Sequence, residues 1–108
     1  MVKVMVVIRR KDGMDRETFL GHWTAAHPAY VAKLPGIRGY RQNIAIDHRK
    51  QWPWDGIAEL MFDSVKDVAI AFDSPAAAAL FKHEEDFLAS TEWFIADEHD
   101  VDLFVPED

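Results

Sequence analysis

The chain has 108 residues, which suits a single domain over positions 1–108, and 49% of them are apolar, enough for a hydrophobic core. Its 19 acidic residues against 12 basic ones argue against nucleic acid or an anionic membrane as a partner, because both are bound through basic patches. The absence of cysteine excludes disulfide bonds, thiolate catalysis and zinc–thiolate sites. No apolar run is long enough to cross a bilayer and no signal segment precedes the first strand, so we expect a soluble cytoplasmic protein.

The first half of the chain predicts a strand, a helix and a second strand. Residues 2–9 are rich in β-branched side chains, which is typical of a buried strand. Asp15 is a suitable N-cap for an amphipathic helix over residues 16–33. Pro28 lies inside this helix, and because it lacks a backbone N–H we expect the helix to be kinked or loosened at His27. Residues 37–47 then predict a second strand.

The second half predicts a third strand, two helices and a last strand. The third strand covers residues 57–63, and Ser64 caps a short helix after it. Ser74 followed by proline is a start signal for the next helix. That helix runs into an acidic stretch at residues 83–86, which we expect to be solvated. Residues 94–105 predict the last strand, with a polar middle.

The order of these elements indicates a ferredoxin-like βαββαβ fold of the α+β class. The second and third strands form a hairpin and the other two connections are right-handed crossovers, which gives an antiparallel four-stranded sheet with helices on one face. The other face carries several large apolar side chains, which a single layer would leave in contact with water. We therefore expect a homodimer in which the sheets of two protomers face each other.

His27 is the most informative polar residue, because it projects from the middle of the helix's apolar face, beside Trp23. An imidazole aimed at a core must be hydrogen-bonded or must line a cavity. In the first case its ring is tied to the backbone, for example to the Thr24 carbonyl that Pro28 leaves free. In the second case it is available for proton transfer.

Several segments of the chain together resemble the EthD family of the dimeric α/β-barrel superfamily. The most specific combination is His27-Pro28, eight residues before Pro35-Gly36, with Tyr40 on the next strand. The matching segments span most of the chain in order: residues 8–14, 19–28, 34–40, 55–62 and 74–75. The resemblance implies a two-protomer barrel with a mostly apolar pocket between each sheet and its own helices. It also implies activity on small hydrophobic or aromatic molecules without a cofactor.

The resemblance extends to the related muconolactone isomerases and methylmuconolactone methylisomerases, which rearrange lactones. In the methylisomerases, a histidine late in the first helix and a tyrosine after the Pro-Gly turn belong to the site, and they match His27 and Tyr40. A second site histidine precedes the third strand there, and His48 is its nearest counterpart. Those enzymes also carry a cysteine on the third strand, where this chain has Leu60. This difference weakens the case for that lactone chemistry.

His27, Tyr40 and His48 are therefore the candidate catalytic residues. Imidazole titrates near pH ~6.5, so His27 suits a proton shuttle, and the Tyr40 hydroxyl suits donation to an oxyanion. The alternative for Tyr40 is a half-buried strand tyrosine whose hydroxyl meets water. Arg38 and Gln42 share its strand face, and they would hold a carboxylate or a phenol if that face lines a pocket. If it does not, they lie at the surface.

Four more residues are candidates for substrate binding. Trp23 is either part of the core or a platform for an aromatic ligand. Trp52 and Trp54 lie in one loop, where they either cover a ligand as a lid or bury against a partner subunit. Glu59 is a candidate base or arginine partner if it points inward, and a solvated charge if it points outward.

These residues favour a cofactor-free acid–base enzyme of the isomerase, dehydratase, cyclase or decarboxylase type, acting on a small hydrophobic or aromatic carbonyl compound. One alternative is a non-catalytic small-ligand-binding accessory protein of a catabolic oxygenase pathway, and another is a structural dimer with a filled pocket. His22 and His27 are five residues apart and point in different directions, so no metal is expected there. Heme ligation by His27 or His83 has no supporting axial-ligand signature.

Overall fold

A computed structural model describes residues 1–104 of the chain. It has a four-stranded sheet and helices in the order predicted by the sequence. The elements are β1 (Val2–Arg10), α1 (Arg16–Leu20), a π-helical segment (Gly21–Ala26), α2 (His27–Val31), β2 (Gly39–Ile44), β3 (Gly56–Phe62), α3 (Val65–Phe72), α4 (Pro75–Glu84) and β4 (Leu88–Ala96).

The sheet has the strand order β2-β3-β1-β4, and every neighbouring pair is antiparallel. This arrangement confirms the α+β, ferredoxin-like fold. Val4 on the central strand lies opposite Leu60 on β3 and Ile95 on β4, and all three face the helices. The molecule is only 20 Å thick in its shortest dimension, which matches two layers of about 10 Å each and leaves one sheet face uncovered.

Three helix starts are confirmed at the residues that the sequence predicts. The Asp15 carboxylate accepts a hydrogen bond from the Thr18 N–H, and the Ser64 and Ser74 hydroxyls accept from backbone N–H groups in the first turns of α3 and α4. Each cap satisfies a donor that a helix start otherwise leaves without a partner. The caps fix where each helix leaves the sheet, and so where its side chains point.

The first helix is loosened just before Pro28: it consists of two short α-helices joined by the π-helical segment. Here the His27 N–H donates to the His22 carbonyl, five residues back, and Pro28 has no N–H to donate. The Trp23 carbonyl therefore accepts a bond neither from the His27 N–H, four residues ahead, nor from position 28, five residues ahead. Gln42 replaces these donors, because its Nε2 donates to that carbonyl at 2.7 Å.

The second and last strands differ from the predicted ranges. β2 is Gly39–Ile44, shorter than residues 37–47, and one further hydrogen bond, from the Ala45 N–H to the Asp55 carbonyl, follows its end. The prediction of the last strand over residues 94–105 was wrong, because β4 is Leu88–Ala96 and residues 97–104 have no regular structure. Small and polar side chains at the start of β4 hid the strand from its sequence pattern. Residue 105 lies outside the described residues.

The open face of the sheet combines apolar and charged side chains. Met5, Val7, Met61 and Phe94 lie on it, and the Phe94 side chain is 60% exposed. Lys3 forms ion pairs here with Glu59 at 2.9 Å and with Glu98 at 2.7 Å. In the part of the chain that the structure describes, no helix combines the length and the apolar character needed to cross a bilayer.

Candidate functional site

A cavity lies between the helices and the covered face of the sheet. Its volume is about 100 Å³. A single buried water needs only about 10–15 Å³, so a small organic molecule has room. Most of the wall is apolar, with Val6, Ile8, Ala58, Leu60 and Leu80 among its residues. Among the residues that the structure describes, the ionisable side chains on the wall are those of His27, Tyr40 and Glu84.

Aromatic side chains mark the opening of this cavity at the β4 edge of the sheet. Phe81 and Trp93 line the cavity and are also substantially exposed, so they stand between its interior and solvent. Phe72 packs edge-on against both, with ring centroids 5.9 Å from Phe81 and 5.3 Å from Trp93. An aromatic ligand entering here meets ring faces and edges before it reaches the polar groups.

His27 is held in the wall by side chains and not by the backbone. It is only 4% exposed, and its Nδ1 lies 2.9 Å from the Nδ1 of His83. Its other nitrogen, Nε2, lies 3.8 Å from the Glu84 carboxyl oxygen Oε2. Burial, and then the neighbouring His83, lower the pKa of His27 from 6.5 to about 4. His27 is therefore a neutral imidazole at neutral pH.

The two histidines share one proton in their hydrogen bond, because a bond between two ring nitrogens needs a donor on one side and an acceptor on the other. If His27 carries its proton on Nδ1, its Nε2 is free to accept one from Glu84. If His83 is the donor, His27 carries its proton on Nε2 and donates toward Glu84. Stacking of Tyr30 on His83, with centroids 4.6 Å apart, keeps the two rings in place.

Glu84 is the last residue of α4 and its side chain is 19% exposed. Burial raises its pKa from 4.5 to about 7. The negative end of the helix dipole disfavours the carboxylate at this position too. Both protonation states are therefore populated near neutral pH.

Tyr40 faces the same cavity from β2. Its hydroxyl oxygen accepts a hydrogen bond from Gln42 Nε2 at 2.9 Å, the same nitrogen that donates to the Trp23 carbonyl. Burial raises the pKa of Tyr40, the charge of Glu84 acts in the same direction, and the hydrogen bonds from Gln42 and Trp23 oppose both. Tyr40 therefore remains a neutral hydroxyl with a proton to donate.

Among the predicted binding residues, Trp23 lines this cavity with His27 and Tyr40, and Gln42 hydrogen-bonds to the Tyr40 hydroxyl. Trp23 is a buried core residue, as one interpretation expects, and its side chain also lines the cavity wall. Gln42 positions other groups of the site, because it hydrogen-bonds both to the Tyr40 hydroxyl and to the Trp23 carbonyl of the π-helical segment. These four residues come from three elements: Trp23 from the π-helical segment, His27 from α2, and Tyr40 and Gln42 from β2, which follows Pro35-Gly36.

The loop candidates lie elsewhere in the protomer. His48 is exposed, accepts a hydrogen bond from the Lys50 N–H and lies 5.6 Å from the Trp52 ring. Trp52 donates its indole N–H to the Ile46 carbonyl. Trp54 lies under the Arg9 guanidinium, 5.2 Å from its ring centroid. None of these three rings lines the cavity between sheet and helices.

Arg38 and Glu59 also lie outside the cavity. Arg38 is exposed and forms a 2.9 Å ion pair with Asp63, which agrees with its interpretation as a surface residue. Glu59 points to the open face of the sheet, where Lys3 lowers the pKa of its carboxyl. Within residues 1–104, no cluster of three His, Asp or Glu side chains is placed to hold a metal ion.

The prediction that residues 83–86 are solvated was wrong for the first two of them. His83 is 8% exposed, and Glu84 lines the cavity. The sequence did contain a sign that Glu84 faces inward. Ala77, Leu80 and Glu84 are three and four residues apart, so they share one helix face. The charge run concealed that periodicity.

A family model described as the EthD domain matches residues 11–91. The chain belongs to the EthD family. A search of curated proteins gave no match.

Solved structures similar to this EthD chain share its fold at low sequence identity. An ethyl tert-butyl ether d (EthD) family protein from Bacillus halodurans has 19% identity and a TM-score of 0.78, over 92% of this chain and 99% of that chain. A dimeric ferredoxin-like protein of unknown function from Bacteroides fragilis has 20% identity and a TM-score of 0.69, over 90% and 95%. A putative antibiotic biosynthesis monooxygenase from Nitrosomonas europaea has 16% identity and a TM-score of 0.63, over 91% and 98%.

Proposed function

We propose that this protein is a cofactor-free acid–base enzyme that isomerises or cleaves a small hydrophobic or aromatic carbonyl compound. The observation that carries the proposal is the meeting of His27 and Tyr40, from two different elements, on the wall of one apolar cavity with an aromatic opening. Perturbed titratable groups in a cleft are typical of acid–base sites.

In this proposal Tyr40 donates its hydroxyl proton in a hydrogen bond to the ligand's carbonyl oxygen. Because Gln42 already occupies an acceptor position on the Tyr40 oxygen, the hydroxyl is oriented before the ligand arrives. The bond strengthens as negative charge develops on the carbonyl oxygen, which lowers the barrier to forming an enolate. His27 moves protons as a neutral ring, through its two nitrogens.

We further propose that the protein works as a homodimer through the open face of its sheet. Phe94 and Met5 lie side by side on that face, and Phe94 is largely exposed in the protomer. The similar Bacteroides fragilis protein is described as dimeric. Trp54 lies beside Val7 and Ile57 of that face, so in such a dimer its loop, which also carries His48 and Trp52, would be next to the partner.

The function is tested with aromatic ketones and lactones offered to the purified full chain. We expect binding to shift the His27 and Trp23 resonances in NMR spectra, and turnover to fall by about 100-fold in Tyr40→Phe. His99→Ala, which removes an exposed histidine outside the helices and strands, is the control and should be neutral. Binding without turnover, with affinity unaffected by His27→Ala, would instead support the non-catalytic accessory protein.

A further inference from the structure

We propose that Glu84 is the side chain that exchanges a proton with the ligand, and that His27 and His83 relay this proton between Glu84 and the surface. This inference rests on the proposed function, because it assigns the proton-transfer step of the same cavity. It makes Glu84 the catalytic residue and the histidine pair its connection to solvent.

The three side chains form a continuous path of polar atoms. Glu84 Oε2 lies 3.8 Å from His27 Nε2, and His27 Nδ1 lies 2.9 Å from His83 Nδ1. The first distance is longer than a hydrogen bond of about 2.7–3.2 Å, so the carboxyl must move by roughly 1 Å or act through a water. Such tightening is usual when a ligand fills a site.

The outer end of the path lies near the protein surface. His83 packs beside the half-buried His22 on the π-helical segment, with ring centroids 5.9 Å apart. Burial lowers the pKa of His83, and the charges of Asp86 and His22 act on it in opposite directions. A proton that reaches His83 therefore has a short route to solvent.

Glu84 is better suited than His27 to exchange protons at neutral pH. A general acid or base works best when its pKa is close to the working pH, and burial brings the pKa of Glu84 to about 7 while that of His27 falls to about 4. The groups that face Glu84 are His27 from α2 and Tyr40 from β2, with His83 beside it on α4. Among the described residues, no lysine or arginine lines the cavity.

The lack of a cation in the described wall also indicates the substrate class. A carboxylate entering the cavity would be buried without a positive partner and next to a carboxyl group, which is unfavourable. We therefore infer a neutral carbonyl compound, such as a ketone, with an acidic C–H beside its carbonyl.

The proposed step conserves protons and electrons. The Glu84 carboxylate takes a proton from the carbon next to the carbonyl; the C–H bond breaks, an O–H bond forms, and the electron pair delocalises onto the oxygen that Tyr40 holds. Glu84 then returns the proton to another carbon of the enolate, which isomerises the ligand. Alternatively, it passes the proton to His27 Nε2 while the His27 Nδ1 proton moves to His83 Nδ1 and His83 releases its Nε2 proton to water. The relay then runs in reverse and Glu84 returns a solvent proton to the enolate carbon, which re-forms the ketone with a hydrogen from solvent.

The relay is tested first without any ligand, in the full chain. We expect infrared spectra of wild type to show a protonated carboxyl band that disappears with a midpoint near pH 7, and ¹⁵N spectra to show His27 and His83 ring shifts with the same midpoint. Both signals should vanish in Glu84→Gln and persist in Glu85→Gln, which changes an exposed neighbour. Absence of the band in wild type, or ring shifts that persist in Glu84→Gln, would overturn the relay. Absence of the band in wild type overturns the relay even if the variant does not fold.

The catalytic role is tested with phenylacetone as the probe, by following replacement of its α-protons by deuterium in heavy water. We expect wild type to accelerate the exchange and Glu84→Gln to slow it by about 100-fold, with Glu85→Gln unchanged. Exchange that survives Glu84→Gln but is lost in His27→Ala overturns the role of Glu84 and leaves the proposed function intact. If wild type binds the ketone and accelerates nothing, the proposed function itself fails for this substrate class.

Discussion

Replacing Glu84 by glutamine should stabilise the protein at alkaline pH and much less at acidic pH. The folded state raises the pKa of Glu84 from 4.5 to about 7, so between these values the folded protein binds more protons than the unfolded chain. Stability therefore falls as the pH rises through this window. Since one pKa unit corresponds to about 1.4 kcal/mol, the full loss above pH 7 is about 3 kcal/mol. Glutamine is neutral at every pH, so Glu84→Gln does not suffer this loss of stability.

The titration of His27 changes stability with pH in the opposite direction, so its contribution must be separated from that of Glu84. Its pKa is lowered from 6.5 to about 4 on folding, so the stability associated with it is present above pH 6.5 and is lost as the pH falls toward 4. Wild-type stability alone mixes the two trends. The difference between wild type and Glu84→Gln at each pH isolates the carboxyl group.

The assay is urea unfolding followed by tryptophan fluorescence at pH 5 and pH 8, at one fixed protein concentration because a dimer's stability depends on it. We expect the stability of Glu84→Gln relative to wild type to rise by about 2–3 kcal/mol between these two pH values. Glu85→Gln is the matched control and should show no comparable trend. A difference that is the same at pH 5 and pH 8 would refute the buried-carboxyl reasoning.

Three further predictions concern the scaffold. Gly56→Ala should destabilise the protein by about 1–3 kcal/mol in urea unfolding, because an added Cβ would lie 2.6 Å from the Trp23 ring. Gln42→Leu should lower stability by about 1–3 kcal/mol in the same assay, because it leaves the Trp23 carbonyl without its side-chain donor. Phe94→Asp should convert the proposed dimer to a monomer in sedimentation at micromolar concentration, and a dimer that persists would argue against the open sheet face as the interface.

The fold was predictable because its signals are local. The helix starts at Asp15, Ser64 and Ser74 each depend on one side chain and the N–H groups a few residues ahead. The order of strands and helices then leaves few topologies. β4 was misplaced because its start is stabilised by pairing with the central strand β1, and not by an apolar pattern of its own.

The site was predictable only in part. His27 and Tyr40 stand out by their positions, and the structure places both on one cavity. Glu84 did not stand out, because a carboxyl group in an acidic run is usually solvated and only the packing of α4 over the sheet buries it. In the sequence, Pro28 alone indicated the π-helical segment. The hydrogen bond from Gln42 to the Trp23 carbonyl joins residues 19 positions apart, so no local pattern predicts it.

The most direct test of the central claim is the exchange of phenylacetone α-protons by wild type and Tyr40→Phe at pH 7. The account predicts acceleration that is proportional to wild-type concentration and about 100-fold slower in Tyr40→Phe, while both proteins keep the same folded NMR spectrum. Equal exchange rates with wild type, with Tyr40→Phe and with buffer, despite ketone binding in the cavity, would contradict it.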